Sequence, residues 1–146
     1  MKRINVVKCQ IVKEKTMAYD FKTISQPLDA ARIIKAYIGN SDRENFVVAC
    51  LDTKNNITAI NTVSIGTINS ASAHPREVFK IAILANSASI IIAHNHPSGD
   101  PSPGREDIEL TKNIVDAGKI LGIEVLDHVV IGYDEQYVSF KEIGLM

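Results

Sequence analysis

Two histidines, His94 and His96, stand two residues apart at the end of the apolar run Ser89-Ile90-Ile91-Ile92-Ala93, and Asp107 follows eleven residues later. In an extended strand, residues i and i+2 point to the same face, so both imidazoles can converge on one point. The Pro- and Gly-rich stretch after His96 then turns the chain and returns a carboxylate to the same place. Two neutral nitrogens and one anionic oxygen leave a fourth position open, which is the format of a catalytic zinc centre. Non-haem iron uses the same ligand types, and the residues alone do not separate the two metals. Two other zinc patterns are absent, since the chain has neither an HExxH helix nor a PCxxC segment. The literal string His94-Asn95-His96 is not the dispersed motif of HNH nucleases.

The elements that must position these side chains follow from the pattern around them. Residues 89–93 predict the strand that delivers both histidines. Ser102 as N-cap and Pro103 at the first helical position predict the helix that carries Asp107. Its buried stripe would be Ile108, Thr111, Ile114, Val115, Gly118 and Leu121, with Gly122 as the stop. Upstream, residues 3–12 are rich in Ile and Val and predict a strand. Ser25-Gln26-Pro27 opens a helix with Ala30, Ile33, Ile34, Tyr37 and Ile38 facing inward, ended by Gly39. Residues 46–51 read as a buried strand, 53–56 as a turn and 57–65 as the returning strand of a hairpin. Pro75 starts another helix, with His74 in a cap-like position and Val78, Ile81, Ala82 and Ala85 inward. Strands over 124–131 and 137–140 complete the chain. Interleaved strands and helices make an α/β fold, a three-layer α-β-α arrangement around a central mixed sheet.

With 146 residues, 45% apolar and 23% charged, the chain fits one globular domain. A net charge of -1 argues against a dedicated nucleic-acid binder. No apolar run is long enough to span a bilayer and no signal-peptide core follows Met1, so a cytoplasmic location is expected. Cys9 and Cys50 lie in apolar segments without CxxC spacing and are expected to be buried free thiols.

The stretch His94-Asn95-His96-Pro97-Ser98-Gly99-Asp100-Pro101 through Asp107, followed by Leu126-Asp127-His128, closely resembles the RadC family, part of the JAMM (MPN-plus) metalloprotease-like domains. Ser64-Ile65-Gly66-Thr67-Ile68 and His74-Pro75-Arg76-Glu77-Val78-Phe79 add to the resemblance. It covers roughly residues 25–146 and leaves 1–24 as an N-terminal strand extension. It implies a JAMM or cytidine-deaminase-like architecture, Zn2+ held by His94, His96 and Asp107, and Glu44 as the glutamate that activates the zinc-bound water. Glu77 is the competing glutamate, for which the resemblance suggests a structural or supporting role. The serine of the pattern, three residues before the aspartate, falls on Gly104. In JAMM peptidases that hydroxyl helps stabilise the oxyanion. Ser98 and Ser102 are the nearby substitutes, although Ser102 is equally explained as a helix cap. His128 reads as a buried, hydrogen-bonded histidine or as support for a ligand, Asp100 as an Asx turn or as a group that orients a histidine, and Asn95 as pointing away from the ligands. RadC-like proteins usually carry an N-terminal helical region, part of it like DNA-binding helix-hairpin-helix segments; residues 1–24 do not resemble it, so DNA binding of that kind is not implied.

The resemblance implies a zinc-dependent hydrolase of the metallopeptidase type, cleaving an amide or isopeptide bond in a peptide or protein. Two other readings remain open at this point. One is a non-catalytic metal-binding or interaction module associated with DNA repair or mobile elements. The other is a metal-dependent nuclease, against which the charge balance counts. An open sheet edge would also allow a homodimer by strand pairing.

Overall fold

The computed structural model describes residues 1–68 and 73–146. Two seven-residue runs, β1 (Asn45–Leu51) and β3 (Ser89–Asn95), are buried along their whole length. Strands apolar on both faces must lie inside a sheet covered on both sides. That is where they sit. β1 runs antiparallel to β2 (Ile57–Ile65) on one side and to β3 on the other, and β3 runs parallel to β4 (Glu124–Ile131). The short β5 (Tyr137–Ser139) closes the order β2-β1-β3-β4-β5.

Helices cover both faces. On one, α1 (Pro27–Ile38) packs Ala30, Ile33 and Ile34 against Val47, Ala49, Leu51, Ile91 and Ala93. On the other, α2 (Pro75–Leu84) and α3 (Arg105–Leu121) pack Val78, Phe79, Leu110 and Ile114 against Phe46, Val48, Cys50, Ile90 and Ile92. Successive residues of β1 thus feed opposite cores, as the period of a strand requires. The three-layer α/β arrangement with a mixed sheet is the architecture expected from the sequence. Cys50 lies in the second core, and burial pushes its thiol pKa up.

Three expectations are corrected. Residues 3–12 form no strand: residues 1–20 are exposed and join no helix or strand, so the N-terminal strand extension is an unpaired arm. A strand needs a neighbour for its backbone groups, and composition alone does not supply one. Cys9 is exposed because it sits on this arm. Finally, α3 begins at Arg105 with Gly104 as N-cap, not at Pro103 behind Ser102. The Ser102 backbone N–H and hydroxyl both bond Asp100 Oδ1, at 3.0 and 2.7 Å, which is the Asx turn expected of Asp100.

A buried carboxylate ties β4 to the end of the chain. Asp127 Oδ1 accepts from the backbone N–H groups of His128 and Lys141, at 2.8 and 3.1 Å, and Oδ2 accepts from the Ser139 hydroxyl. Burial raises the Asp127 pKa, and the Ser139 and backbone bonds oppose that rise. This bracket holds β5 and the 140–144 turn against the strand that carries His128. Among the described residues, no helix is long and apolar enough to cross a membrane.

α3 packs tightly against its neighbours at Gly118. A Cβ there would meet the Ile123 carbonyl oxygen at 2.5 Å and Phe79 and Val125 at 3.2 and 3.3 Å. Gly118→Ala gains about 1 kcal/mol of helix propensity, but overpacking against backbone costs about 1–3 kcal/mol. The expected result is a net loss of stability, read as a lower denaturant midpoint at unchanged slope.

Candidate metal centre

The site is built at the carboxyl end of β3. His94 is paired within the sheet opposite Phe46 of β1 and is 1% exposed, while His96 stands just past the strand. The ladder to β4 continues one residue further, because His96 N–H donates to the Ile131 carbonyl at 2.9 Å. Gly99, at φ 88°, then turns the chain beneath Tyr133, whose ring leaves no room for a side chain at that position. The Tyr133 hydroxyl donates to the Pro97 carbonyl at 2.9 Å, and its N–H to the Gly99 carbonyl at 3.0 Å. The loop that follows His96 is therefore stitched to the β4–β5 turn.

Asp107 arrives from the first turn of α3. Its Oδ2 accepts from the Gly104 N–H at 2.8 Å, capping the helix, and the positive helix end favours the carboxylate. The same carboxylate faces both histidines, with Oδ1 at 3.4 Å from His94 Nε2 and Oδ2 at 3.6 Å from His96 Nε2. Ligand atoms of the three residues lie within 4.8 Å of one another. Burial works against ionisation of Asp107, but hydrogen bonds from the His94 and His96 rings, when a proton lies on Nε2, and from the Gly104 N–H outweigh it and hold its pKa well below the usual carboxylate range.

Which ring nitrogens carry hydrogen can be read from their partners. Thr111 Oγ1 donates its one proton back to the Asp107 carbonyl at 2.6 Å, so it must accept from His128 Nδ1 at 2.5 Å. Neutral His128 then has a bare Nε2, which accepts from His94 Nδ1 at 2.8 Å. Burial keeps His128 in that neutral form by lowering its pKa far below the ordinary value. On the other ring, His96 Nδ1 faces the Asp100 carbonyl at 2.8 Å, and a carbonyl only accepts. Both Nδ1 atoms are thus spent as donors. The two Nε2 atoms are left 3.0 Å apart, lone pair toward lone pair, beside a carboxylate. Only a positive charge in the gap relieves that repulsion: a proton, or a cation. The Asp107 side chain accordingly raises the His96 pKa, against its burial.

Glu44 immediately precedes β1 and is partly buried. It lies outside the cluster of ligand atoms, yet its charge adds to the raising of the His96 pKa. The segment around it is held on two sides. Gly66 N–H donates to the Glu44 carbonyl at 2.8 Å. Asn95 accepts from the Asn45 N–H at 2.7 Å and donates to the Arg43 carbonyl at 3.0 Å. Asn95 does point away from the histidines, and that outward position is what clamps the Glu44 segment to β3. Sequence reasoning assigned Asn95 no such task and left His128 between two roles. The signal for Asn95 was its place between the two histidines. Nothing in the spacing linked Thr111 to His128.

Other sequence candidates go elsewhere. Glu77 bonds Lys80 at 2.9 Å on the surface of α2. His74 caps α2 through Nδ1, accepting from the Arg76 N–H at 3.1 Å. A groove of about 1100 Å3 opens beside His96, between Arg32 and Lys35 of α1, the residues around Gly39 and the Ile131–Gln136 turn.

Thr111→Val removes the hydroxyl that orders the three-ring chain while keeping the side-chain shape. Outer partners of metal-binding histidines are typically worth 10–100-fold in affinity. Thr111→Val should weaken zinc binding by about that factor in a chelator competition, and Thr111→Ser should restore it.

Residues 24–145 match the family model described as the RadC-like JAB domain. The chain is similar to a UPF0758 protein of Desulfitobacterium hafniense, 51% identical over 123 residues, covering 84% of this chain and 54% of that protein. A UPF0758 protein of Rubrobacter xylanophilus is 52% identical over 123 residues, 84% of this chain and 53% of the relative. One from Methanosarcina barkeri is 48% identical over 125 residues, with shares of 86% and 54%. The chain spans about half the length of the curated relatives it matches.

Proposed function

This chain belongs to the RadC-like JAB domain family, and on that premise we propose that it is a zinc-dependent hydrolase that cleaves an amide or isopeptide bond. The observation that carries the reading is the 3.0 Å approach of His94 Nε2 and His96 Nε2 beside the Asp107 carboxylate, with both Nδ1 atoms turned to other partners. These donors fit a borderline-soft divalent ion, and they would hold it through His94 Nε2, His96 Nε2 and an Asp107 oxygen. When bound, zinc makes a water molecule acidic near neutral pH and polarises a carbonyl.

The chain's own groups supply the rest. Glu44 accepts the proton of the attacking water and returns it to the leaving amine. His128 and Thr111 keep His94 in the tautomer that presents Nε2. Asp107 remains ionised across the neutral range.

Separating metal binding from chemistry tests this assignment. Glu44→Gln should keep stoichiometric zinc and lose about 10²–10⁴-fold of the turnover of a quenched-fluorescent peptide library. His94→Ala should lose both. Full turnover by Glu44→Gln would remove Glu44 from the mechanism, and full turnover by metal-free His94→Ala would remove zinc.

Gly104 supports a second reading, a metal-held binding module with weak or no hydrolysis. The oxyanion hydroxyl of the family pattern is missing, and Ser102 does not replace it, because its hydroxyl is committed to Asp100. Position 104 has extended backbone, and a Cβ there would have only Asp107 Oδ2, at 3.7 Å, within reach. Gly104→Ser should therefore fold normally and raise turnover, by up to the 10²–10³-fold that one oxyanion donor is worth. No gain on the same peptide library would favour the binding module.

A further inference from the structure

Residues 3–12 have the composition of a strand and the environment of a tail. Six of these ten are Ile, Val or Cys, and no Gly or Pro interrupts them. Ile4, Val6, Val7 and Val12 are nonetheless 89%, 98%, 82% and 83% exposed. Burying such side chains is favourable, so the arm carries a drive to pair with something.

The sheet has a margin that suits it. Of the two edge strands, β5 has three residues and β2 has nine. Among the described residues, the outer side of β2 is met only at its start. There Ile57 N–H donates to the Lys22 carbonyl at 2.8 Å, Ile24 N–H donates to the Asn55 carbonyl at 2.8 Å, and Thr23 stands antiparallel to Asn56. The arm cannot use the rest of that margin within its own subunit. Each residue back from Thr23 advances one residue from Asn56, so Glu14 would face Ile65, the last residue of β2. Residues 3–12 would lie beyond the strand's end. The chain also leaves the margin early, since Tyr19 lines the groove beside α1.

We propose that residues 3–12 add as an extra strand to the outer margin of β2 in a second copy of this chain, each copy giving its arm to the other. Charge supports that partner. Residues 1–19 hold Lys2, Arg3, Lys8, Lys13 and Lys15 against Glu14 alone, net +4, whereas residues 20–146 hold eleven basic and sixteen acidic groups, net -5. A basic arm is attracted to an acidic body, and another copy is an acidic body whose β2 margin, among the described residues, is open beyond Ile57. Two-fold exchange uses the same contact twice and leaves neither margin exposed. A basic arm also suits phosphates, but phosphate contacts have no use for the interleaved β-branched side chains.

The test uses the full chain at micromolar concentration, with light scattering for mass and hydrogen exchange for location. Wild type should have the mass of a dimer, with slow exchange at outward-facing amides of residues 58–65. Val6→Asp combined with Val12→Asp should give a folded monomer by circular dichroism, with those amides exchanging fast. A monomeric wild type, a dimer that survives both substitutions, or unchanged exchange in β2 would overturn the proposal. Arm-dependent binding of a DNA duplex by a monomer would also overturn it, and would assign the arm to nucleic acid.

Discussion

Two imidazole nitrogens with bare lone pairs, held face to face beside a carboxylate, are the constraint around which this molecule is organised. Left alone, such an arrangement is repulsive, and surrounding bonds have to enforce it. Every group behind the two rings does so. His94 is locked in a central strand, and its far nitrogen is bonded to a fully buried histidine. His96 is held by the continued β3–β4 ladder and by the Asp100 carbonyl. Fold and site are therefore inseparable: loosening either ring would let the lone pairs turn apart, and the attraction for a cation would go with them.

The start of α3 serves both purposes. Asp107 caps the helix through the Gly104 N–H and presents the same carboxylate to the histidines. One turn later Thr111 bonds back to the Asp107 carbonyl and receives the far end of the histidine chain. The helix that supplies the anionic group thus also orients His94 from behind, through His128. Asp127 extends the same logic outward, since its bonds to Ser139 and Lys141 fix β4 where His128 must stand.

Much of this was legible in the residues. A strand period of two placed His94 and His96 on one side, and the apolar runs of β1 and β3 announced a sheet covered on both faces. The helix stops at Gly39 and Gly122 were visible too. What stayed hidden depended on contacts between distant segments. Thr111 read as one more residue of a buried stripe, and only the packing of α3 on β4 makes it a hydrogen-bond partner of His128. Ser102 carried a strong capping signal, but Asp100, two residues before it, won the competition for its hydroxyl. Residues 3–12 carried a strand signal that no neighbour among the described residues satisfies. In each case local propensity was real and tertiary pairing decided the outcome.

The most direct test of the account is anomalous diffraction at the zinc absorption edge from crystals of protein purified without added metal. A single strong peak within bonding distance of His94 Nε2, His96 Nε2 and Asp107, with both Nδ1 atoms still turned to His128 and the Asp100 carbonyl, is the predicted result. Two rings rotated apart, with no peak between them after soaking in zinc, would contradict it.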